Sequence, residues 1–332
     1  MLYRLCHFFK ECIKFPHNVY CIIQSNLGLR KILGVGTTIY IIISRIIQRY
    51  GSRKLRMYFV EKRHNIIKNF LKKEVTITLP ENVPSFRENI YSDTIWICWW
   101  QGEDNMPPIV KMCTRKIREN SNGHNVIFIS QETYKKYVEV PEKFISDVKT
   151  GRMKIAHLAD YVRYKLLFQY GGVWIDATML VTRPIGTFGE FEYDFYSIHL
   201  QEPLDDNCIA RCRWMTPLIF CKQGNELIYN VFTLLEKYFL NYEVCIDYLL
   251  VDYIFDFLVS QNSRFADYIN RIPYNNELVY ELNHLYYQSY DKDNFEKIIN
   301  SNTHYFKLTY RTCAPQETVS GLTYYGYLLT LK

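Results

Sequence analysis

Residues 156–180 constrain the fold of this 332-residue chain more than any other stretch. Apolar residues three and four apart predict an amphipathic helix over residues 157–170. Gly171-Gly172 then ends that helix, because glycine adopts the left-handed conformation without steric cost. Residues 173–175 are wholly apolar, as in a buried strand, and the strand ends on Asp176. Ligands bind outside the carboxyl ends of strands in open α/β sheets, so we expect a polar site at Asp176.

The predicted helix carries further polar residues toward the same site. His157, Asp160 and Arg163 are spaced three apart, so they lie along one ridge of the helix. A surface salt bridge would by itself explain Asp160 and Arg163. The strand-tip Asp176 nearby favours a functional reading, with Asp160, Arg163 and Asp176 as the catalytic groups. For His157, a place in the pocket and a place on an ordinary helix surface remain equally open.

The order of elements around this stretch predicts the fold class. Apolar strands are expected at residues 94–102, where Gly102 ends the strand, and at residues 126–130, with a helix over residues 107–120 between them. Short helices then lead into the central helix and the third strand. Strands that alternate with helices are typical of an α/β fold with a mostly parallel sheet.

The central stretch also resembles a known sugar-transferase motif. Residues 159–163 read Ala-Asp-Tyr-Val-Arg, followed by Gly171-Gly172 and by Asp-Ala-Thr at residues 176–178. This is similar to the Ser-Asp-x-x-Arg, Gly-Gly, Asp-x-Asp pattern of GT-A glycosyltransferases such as glycosyltransferase family 32. The Asp-Ala-Thr ending is closer still to the bacterial capsular polysaccharide synthesis proteins. Ala159 replaces the usual Ser, and Thr178 replaces the second Asp.

The resemblance, which covers roughly residues 90–312, implies a fold and an activity. The fold would be a GT-A-like, mostly parallel Rossmann-type sheet flanked by helices. The activity would be transfer of a hexose from a nucleotide-sugar donor to a growing, lipid-linked surface or capsular polysaccharide, with retention of configuration. The alternatives are a non-catalytic nucleotide-sugar-binding homologue and a basic module that binds membranes or nucleic acid.

The resemblance also suggests which residues contact the donor. The first strand ends in Trp100-Gln101, which abuts the nucleotide in relatives. Asp247 begins a helix that walls the sugar pocket in that family, although a first-turn helix charge explains it equally well. Lys307 belongs to a C-terminal Lys-Leu-Thr segment. The expected substrate-binding and nucleotide-binding residues are Trp100, Gln101, His157, Gly171, Gly172, Thr178, Asp247 and Lys307.

The same relatives imply a divalent cation, Mn or Mg, as the cofactor. A threonine hydroxyl is a poor substitute for a carboxylate in holding such a cation. We therefore expect a weakly bound metal with Asp176, Thr178 and His304 as its ligands. Another carboxylate could instead complete the site. In a third alternative no metal is held tightly, and Lys307 and Arg163 offset the charge of the leaving group.

Basic charge is concentrated at the N-terminus. Residues 1–73 hold 15 Lys and Arg against two Glu, a net charge of +13, whereas the whole chain carries +6. We therefore predict a basic helical extension over residues 1–75 and a GT-A-like catalytic domain over residues 76–332. The apolar run at residues 32–44 is shorter than the roughly 20 residues that span a bilayer. A helix lying on an anionic membrane surface is expected, with an ordinary packed helix or a spanning helix as alternatives.

The remaining composition bears on partners and compartment. The basic residues follow no recognisable nucleic-acid motif, so no nucleic-acid partner is expected. Ten cysteines are scattered without a disulfide framework, and no secretory signal with a cleavage site is apparent. We expect a cytoplasmic protein, peripheral at the inner face of the plasma membrane.

Overall fold

A computed structural model describes residues 15–74, 83–84, 93–203, 207–312 and 314–331. The helices are α1 (15–26), α2 (Arg30–Leu33), α3 (Val35–Tyr50), α4 (Arg53–Glu74), α5 (Pro108–Glu119), α6 (Glu142–Lys149), α7 (Ile155–Tyr170), α8 (Glu226–Asn241), α9 (Leu250–Gln261), α10 (Ser263–Asn270), α11 (Glu281–His284), α12 (Lys292–Ile299) and α13 (Tyr324–Thr330). The strands are β1 (Thr94–Cys98), β2 (Asn125–Ile129), β3 (Gly172–Ile175), β4 (Met179–Val181), β5 (Phe195–Ser197), β6 (Leu218–Cys221), β7 (Tyr305–Lys307), β8 (Glu317–Thr318) and β9 (Gly321–Leu322).

Five strands form the central sheet in the order β2-β1-β3-β6-β5. β1 is parallel to both β2 and β3, while β6 is antiparallel to β3 and to β5. Four of the five strands therefore run in one direction. This confirms the predicted α/β fold with a mostly parallel sheet flanked by helices.

α7 reverses into β3 at the Gly171-Gly172 turn. All four residues of β3 are buried, as the apolar run predicted. Trp96 on β1 reaches across to donate a hydrogen bond from its indole Nε1 to the carbonyl oxygen of Gly171, at 3.0 Å. Beyond β3, β4 leaves the main sheet and pairs with β7, with Met179 opposite Lys307. That pairing brings the C-terminal part of the chain beside the carboxyl end of β3.

The N-terminal helices pack onto the rest of the protein through α4 and α9. Ile67 and Leu71 of α4 belong to the hydrophobic core. His64 Nδ1 lies 2.6 Å from the hydroxyl of Tyr253, and Lys68 pairs with Asp256 at 2.9 Å. Apolar burial and polar contacts together therefore hold this region against α9.

The domain boundary predicted near residue 75 stays a prediction. Residues 1–14 and 75 of the predicted extension lie outside the described residues. Among the helices that the structure describes, none is long and apolar enough to cross a bilayer.

Candidate active site

An open cavity of about 1100 Å³ lies at the carboxyl ends of β1 and β3. Its wall combines the end of β1, one edge of α7, the turn after β3, the start of α9 and the end of β7. Its polar and aromatic lining includes Trp99, Trp100, Gln101, Lys154, Asp160, Arg163, Asp176, Thr178, Tyr248, Asp252, Lys307, Tyr310 and Arg311. The polar site therefore lies where the sequence predicted it, beyond the tip of the buried strand.

Asp176 accepts hydrogen bonds from three side chains at the tip of β3. Trp174 Nε1 and Arg163 Nη2 lie 2.9 and 3.1 Å from Oδ1, and Lys307 Nζ lies 2.8 Å from Oδ2. Burial alone would raise the pKa of this carboxyl, but Lys307 and Arg163 hold the pKa well below its usual range. Asp176 is therefore a fixed negative charge between two cations.

Arg163 joins both acidic groups of the site. Its Nη1 donates to Asp160 Oδ1 at 2.8 Å while its Nη2 donates to Asp176. The guanidinium also lies over the indole of Trp174, 4.9 Å from the ring centroid. The Arg163 side chain is 6% exposed, so the pair is no solvated surface salt bridge. Burial raises the pKa of Asp160 to about 6, although Arg163 opposes that shift.

Thr178 meets a cation rather than a carboxylate. Lys307 Nζ lies 2.6 Å from Thr178 Oγ1, so one ammonium bridges the hydroxyl and Asp176. The backbone of Lys307 is held in place, because Lys307 N donates to Val279 O at 2.7 Å. Leu308 N donates to Thr178 O at 3.0 Å, so the backbone of Thr178 is held beside the end of β7.

The structure does not bring His304 to this group. Its ring stacks on Phe188 with the centroids 3.6 Å apart, and it does not line the cavity. The reason is its place in the chain, since extended residues three apart point to opposite faces and lie roughly 10 Å apart. His304 stands at the far end of β7 from Lys307. The expectation that His304 joins Asp176 and Thr178 as a metal ligand is therefore corrected.

The remaining donor set does not fit a divalent cation. Asp176 is the carboxylate at the first position of the sequence motif, where a metal ligand is expected. Its two oxygens already accept from Arg163, Trp174 and Lys307. Among the residues that the structure describes, no three His, Cys, Asp or Glu side chains are grouped to hold a metal. Mg is usually held through one or two carboxylates together with waters and substrate phosphates, and here two cations already compensate the charge of Asp176.

The two glycines of the motif serve the backbone rather than a ligand. Gly171 and Gly172 have φ values of 67° and 91°, and they begin β3 at the end opposite Asp176. A Cβ on Gly171 would lie 2.6 Å from the backbone nitrogen of Gln223. Neither glycine lines the cavity, so their expected role in substrate binding is corrected to turn formation and close packing.

His157 and Asp247 also lie behind the cavity wall rather than on it. The His157 ring packs 5.6 Å from both Phe239 and Tyr248, and burial lowers its pKa to about 4. Asp247 pairs with Arg45 at 3.0 Å. The structure therefore places His157 in an aromatic cluster, with its Nδ1 4.0 Å from Asp160 Oδ2, and Asp247 in an ion pair, and their contact with a substrate stays a prediction.

Trp100 and Gln101 line the cavity, as expected for residues that end β1. Trp100 is buried and packs against Tyr134, with ring centroids 5.2 Å apart, whereas Gln101 is exposed at the rim. Their contact with a nucleotide stays a prediction.

Asp252 is a site residue that sequence reasoning missed. It lines the cavity from α9, accepts from Trp214 Nε1 at 2.8 Å, and is 7% exposed. Burial raises its pKa to about 7. An acidic residue inside the apolar run at residues 249–255 was the available signal, because acids are rarely buried without a partner.

Comparison with known proteins places the chain in a family. A curated relative, the O-glycosyltransferase braB of Annulohypoxylon truncatum, is 31% identical over 109 residues, which is 30% of this chain. The chain spans about a quarter of that relative's length, 26%. Among solved structures, the PaToxG glycosyltransferase has 15% sequence identity and a TM-score of 0.37, covering 72% of this chain and 94% of its own. Residues 48–328 match the capsular polysaccharide synthesis protein family, and the chain belongs to that family.

Proposed function

We propose that the protein is a glycosyltransferase that moves a hexose from a nucleotide-sugar donor to a glycan acceptor. The observation that carries this proposal is the cluster of Asp160, Arg163 and Asp176 at the wall of a large cavity. Membership of the capsular polysaccharide synthesis family and similarity to an O-glycosyltransferase support the same activity.

The cluster has the chemistry that a sugar ring requires. The carboxylate of Asp160 accepts from sugar or ribose hydroxyls and Arg163 donates to the sugar, in charge-assisted hydrogen bonds. Asp176 holds Arg163 and Lys307 in place at the same wall. The cavity volume of about 1100 Å³ exceeds that of most small-molecule sites, which leaves room for a donor and the end of an acceptor.

In the proposed reaction the bond between the anomeric carbon and the diphosphate oxygen breaks. The nucleoside diphosphate leaves with the electron pair, and the acceptor hydroxyl forms the new glycosidic bond. The acceptor's proton passes to the departing diphosphate. We expect retention of configuration, as in the transferases that the sequence motif resembles.

The acceptor is proposed to be a growing surface or capsular polysaccharide on a lipid carrier. Val35, Ile39 and Ile43 are 66%, 51% and 43% exposed, and their spacing of four aligns them in one stripe on α3. Exposed Arg30 and Lys31 lie next to the stripe in α2. An apolar stripe flanked by cations supports binding to an anionic membrane. The proposed location is therefore peripheral, at the cytoplasmic face of the plasma membrane.

A donor screen tests the activity. The full chain would be incubated with a panel of UDP-, GDP-, ADP- and dTDP-sugars, and thermal shift and nucleotide release would be measured. We expect one donor class to raise the melting temperature and to be hydrolysed slowly without acceptor. A thermal shift without turnover, even with lipid-linked acceptors, would identify a non-catalytic binding homologue instead. If no donor raises the melting temperature and none releases nucleotide, the glycosyltransferase proposal is wrong.

A further inference from the structure

The ammonium of Lys307 stands at the place where the family motif would put a metal. It lies 2.8 Å from Asp176 Oδ2 and 2.6 Å from Thr178 Oγ1, the two groups at the positions of the Asp-x-Asp pair. In the described part of the chain these acceptors use two of the three ammonium protons. Lys307 also lines the cavity, and its side chain is 21% exposed, so the third proton can reach a ligand there.

The charges around this ammonium are already matched in pairs. Arg163 neutralises Asp160 and shares Asp176 with Lys307. A divalent cation beside Asp176 would meet two fixed positive charges and a single carboxylate. A diphosphate, in contrast, would meet the exposed part of the Lys307 ammonium, a donor of opposite charge. Thr178 matters here because its neutral hydroxyl accepts from Lys307 without adding a second negative charge.

We propose that Lys307 is a resident cation that binds the donor's diphosphate and replaces the divalent metal of related transferases. This inference rests on the proposed glycosyl transfer. When the bond to the anomeric carbon breaks, negative charge grows on the departing diphosphate, and a preorganised ammonium stabilises it. Asp176 and Thr178 act through Lys307, because they fix the position of its nitrogen. Arg311 and Lys154, which also line the cavity, add positive charge for the remaining phosphate oxygens.

Binding of inorganic pyrophosphate tests the site without needing the right sugar or base. Isothermal titration calorimetry would compare protein treated with EDTA against the same protein supplied with excess Mn or Mg. We expect pyrophosphate to bind the metal-free protein, and added Mn or Mg should not tighten that binding, because both ions complex pyrophosphate in solution and lower its free concentration. Binding that appears only after Mn or Mg is added would overturn the proposal.

Variants locate the effect at Lys307. Lys307→Gln should weaken pyrophosphate binding at least tenfold, while Lys307→Arg, which keeps the charge, should stay within a fewfold of wild type. Lys297→Gln is the matched control, since Lys297 is exposed on α12 and does not line the cavity. If Lys307→Gln is folded by circular dichroism and binds as tightly as wild type, Lys307 is not the cation. Should Lys307→Gln unfold, Lys307→Met is a second neutral variant that keeps the length of the side chain, and the chelation comparison still tests the requirement for a metal.

The outcome for the site and the outcome for the reaction are separable. Metal-free pyrophosphate binding that needs Lys307, with no turnover of any nucleotide sugar, would support the diphosphate site and refute the glycosyltransferase. Turnover of a nucleotide sugar that stops after chelation and returns with Mn would support the glycosyltransferase and refute the resident cation.

Discussion

Arg163 Nη2 lies 3.1 Å from Asp176 Oδ1, although a helix end and a buried strand separate the two residues along the chain. The contact exists because the glycine turn folds β3 back beside α7. The same guanidinium holds Asp160 at 2.8 Å, so the two halves of the sequence motif form one hydrogen-bonded unit. Residues in one network lose function in a non-additive way when they are substituted singly or together.

Replacement of Asp176 by asparagine should lower turnover by two or more orders of magnitude. The change keeps the shape of the side chain and removes the charge that faces Arg163 and Lys307, and loss of a preorganised electrostatic group has about this effect. The melting temperature should also fall, because both cations lose a buried counter-charge. Donor hydrolysis by the purified variant is the measurement.

Asp194→Asn is the matched control for that substitution. Asp194 pairs with Lys222 at 2.6 Å, and its side chain is 45% exposed, outside the cavity. Its turnover should equal wild type. Normal turnover in Asp176→Asn would remove Asp176 from the mechanism.

The helices and strands that the sequence predicted best are those that local residue patterns determine. The helix expected at residues 107–120 is α5 (Pro108–Glu119), and the strand expected at 126–130 is β2 (Asn125–Ile129). The convergence of Asp160, Arg163 and Asp176 was also predictable, because spacing along one helix and a strand tip determine it.

The parts that could not be predicted depend on distant pairings. Lys307 reaches Asp176 across 131 residues of sequence through the register of β4 and β7. No local pattern determines that register, and it is also what carries His304 away from the site. Asp247 likewise meets Arg45 from 202 residues away. A motif residue can thus be matched correctly and still face a structural partner rather than the cavity.

Substitution of His304 by glutamine should leave metal response and turnover unchanged within about twofold. Its ring stacks on Phe188 and lies outside the cavity, so the expected loss is packing, not ligation. Aromatic pairs of this kind contribute about 0.5–1.5 kcal/mol to stability. Chemical denaturation should show that loss, while donor hydrolysis with and without Mn should match wild type. A large, Mn-reversible drop in turnover would return His304 to the site.

Alanine at Gly171 should destabilise the fold severely. The residue has φ +67°, and a Cβ would meet the backbone nitrogen of Gln223 at 2.6 Å. Strain of this kind costs on the order of 1–3 kcal/mol before any clash is added. The free energy of unfolding reports the effect. Gly123→Ala is the control, since Gly123 also has positive φ but has nothing within 4 Å of the added Cβ. Equal losses in both variants would contradict the close-packing role.

Asp252 should make stability depend on pH in a direction opposite to that of a salt-bridged acid. Burial raises its pKa to about 7, so the folded state keeps this proton while the unfolded state loses it near pH 4. Its contribution therefore falls as pH rises from about 4 to about 7. Asp160 and Arg163 also line the cavity and influence the pKa of Asp252. Both residues are present in wild type and in an Asp252→Asn variant, so their own ionisation is common to the two proteins.

Asp252→Asn removes the ionisable carboxyl, and with it this pH-dependent contribution to stability, and keeps an acceptor for Trp214. Relative to wild type, the variant should gain roughly 2–3 kcal/mol in unfolding free energy between pH 5 and pH 8. Urea denaturation at both pH values measures the difference. Asp293→Asn, an exposed substitution on α12, should gain nothing. An Asp252→Asn effect that is the same at both pH values would show that Asp252 is ionised throughout.

Membrane association is best tested with substitutions that leave the fold intact. Deletion of the N-terminal region would also remove Ile67 and Leu71 of α4, which are part of the core. Val35, Ile39 and Ile43 are exposed on α3, so their combined replacement by glutamine should leave the melting temperature nearly unchanged. The variant should bind vesicles at least tenfold more weakly, because burial of apolar side chains contributes roughly 1 kcal/mol or more each.

Sedimentation with vesicles that contain about one-third anionic lipid, at low and high salt, separates the electrostatic contribution to membrane binding from the apolar one. Each Lys or Arg near the surface adds about 1 kcal/mol of attraction that salt screens, whereas apolar insertion persists at high salt. The triple variant should therefore retain binding at low salt and lose the salt-resistant part. Tyr274→Gln with Tyr287→Gln is the control, because both rings are more than half exposed but lie outside α1–α4. If wild-type protein stays in the supernatant under both conditions, the basic helices serve a purpose other than membrane binding.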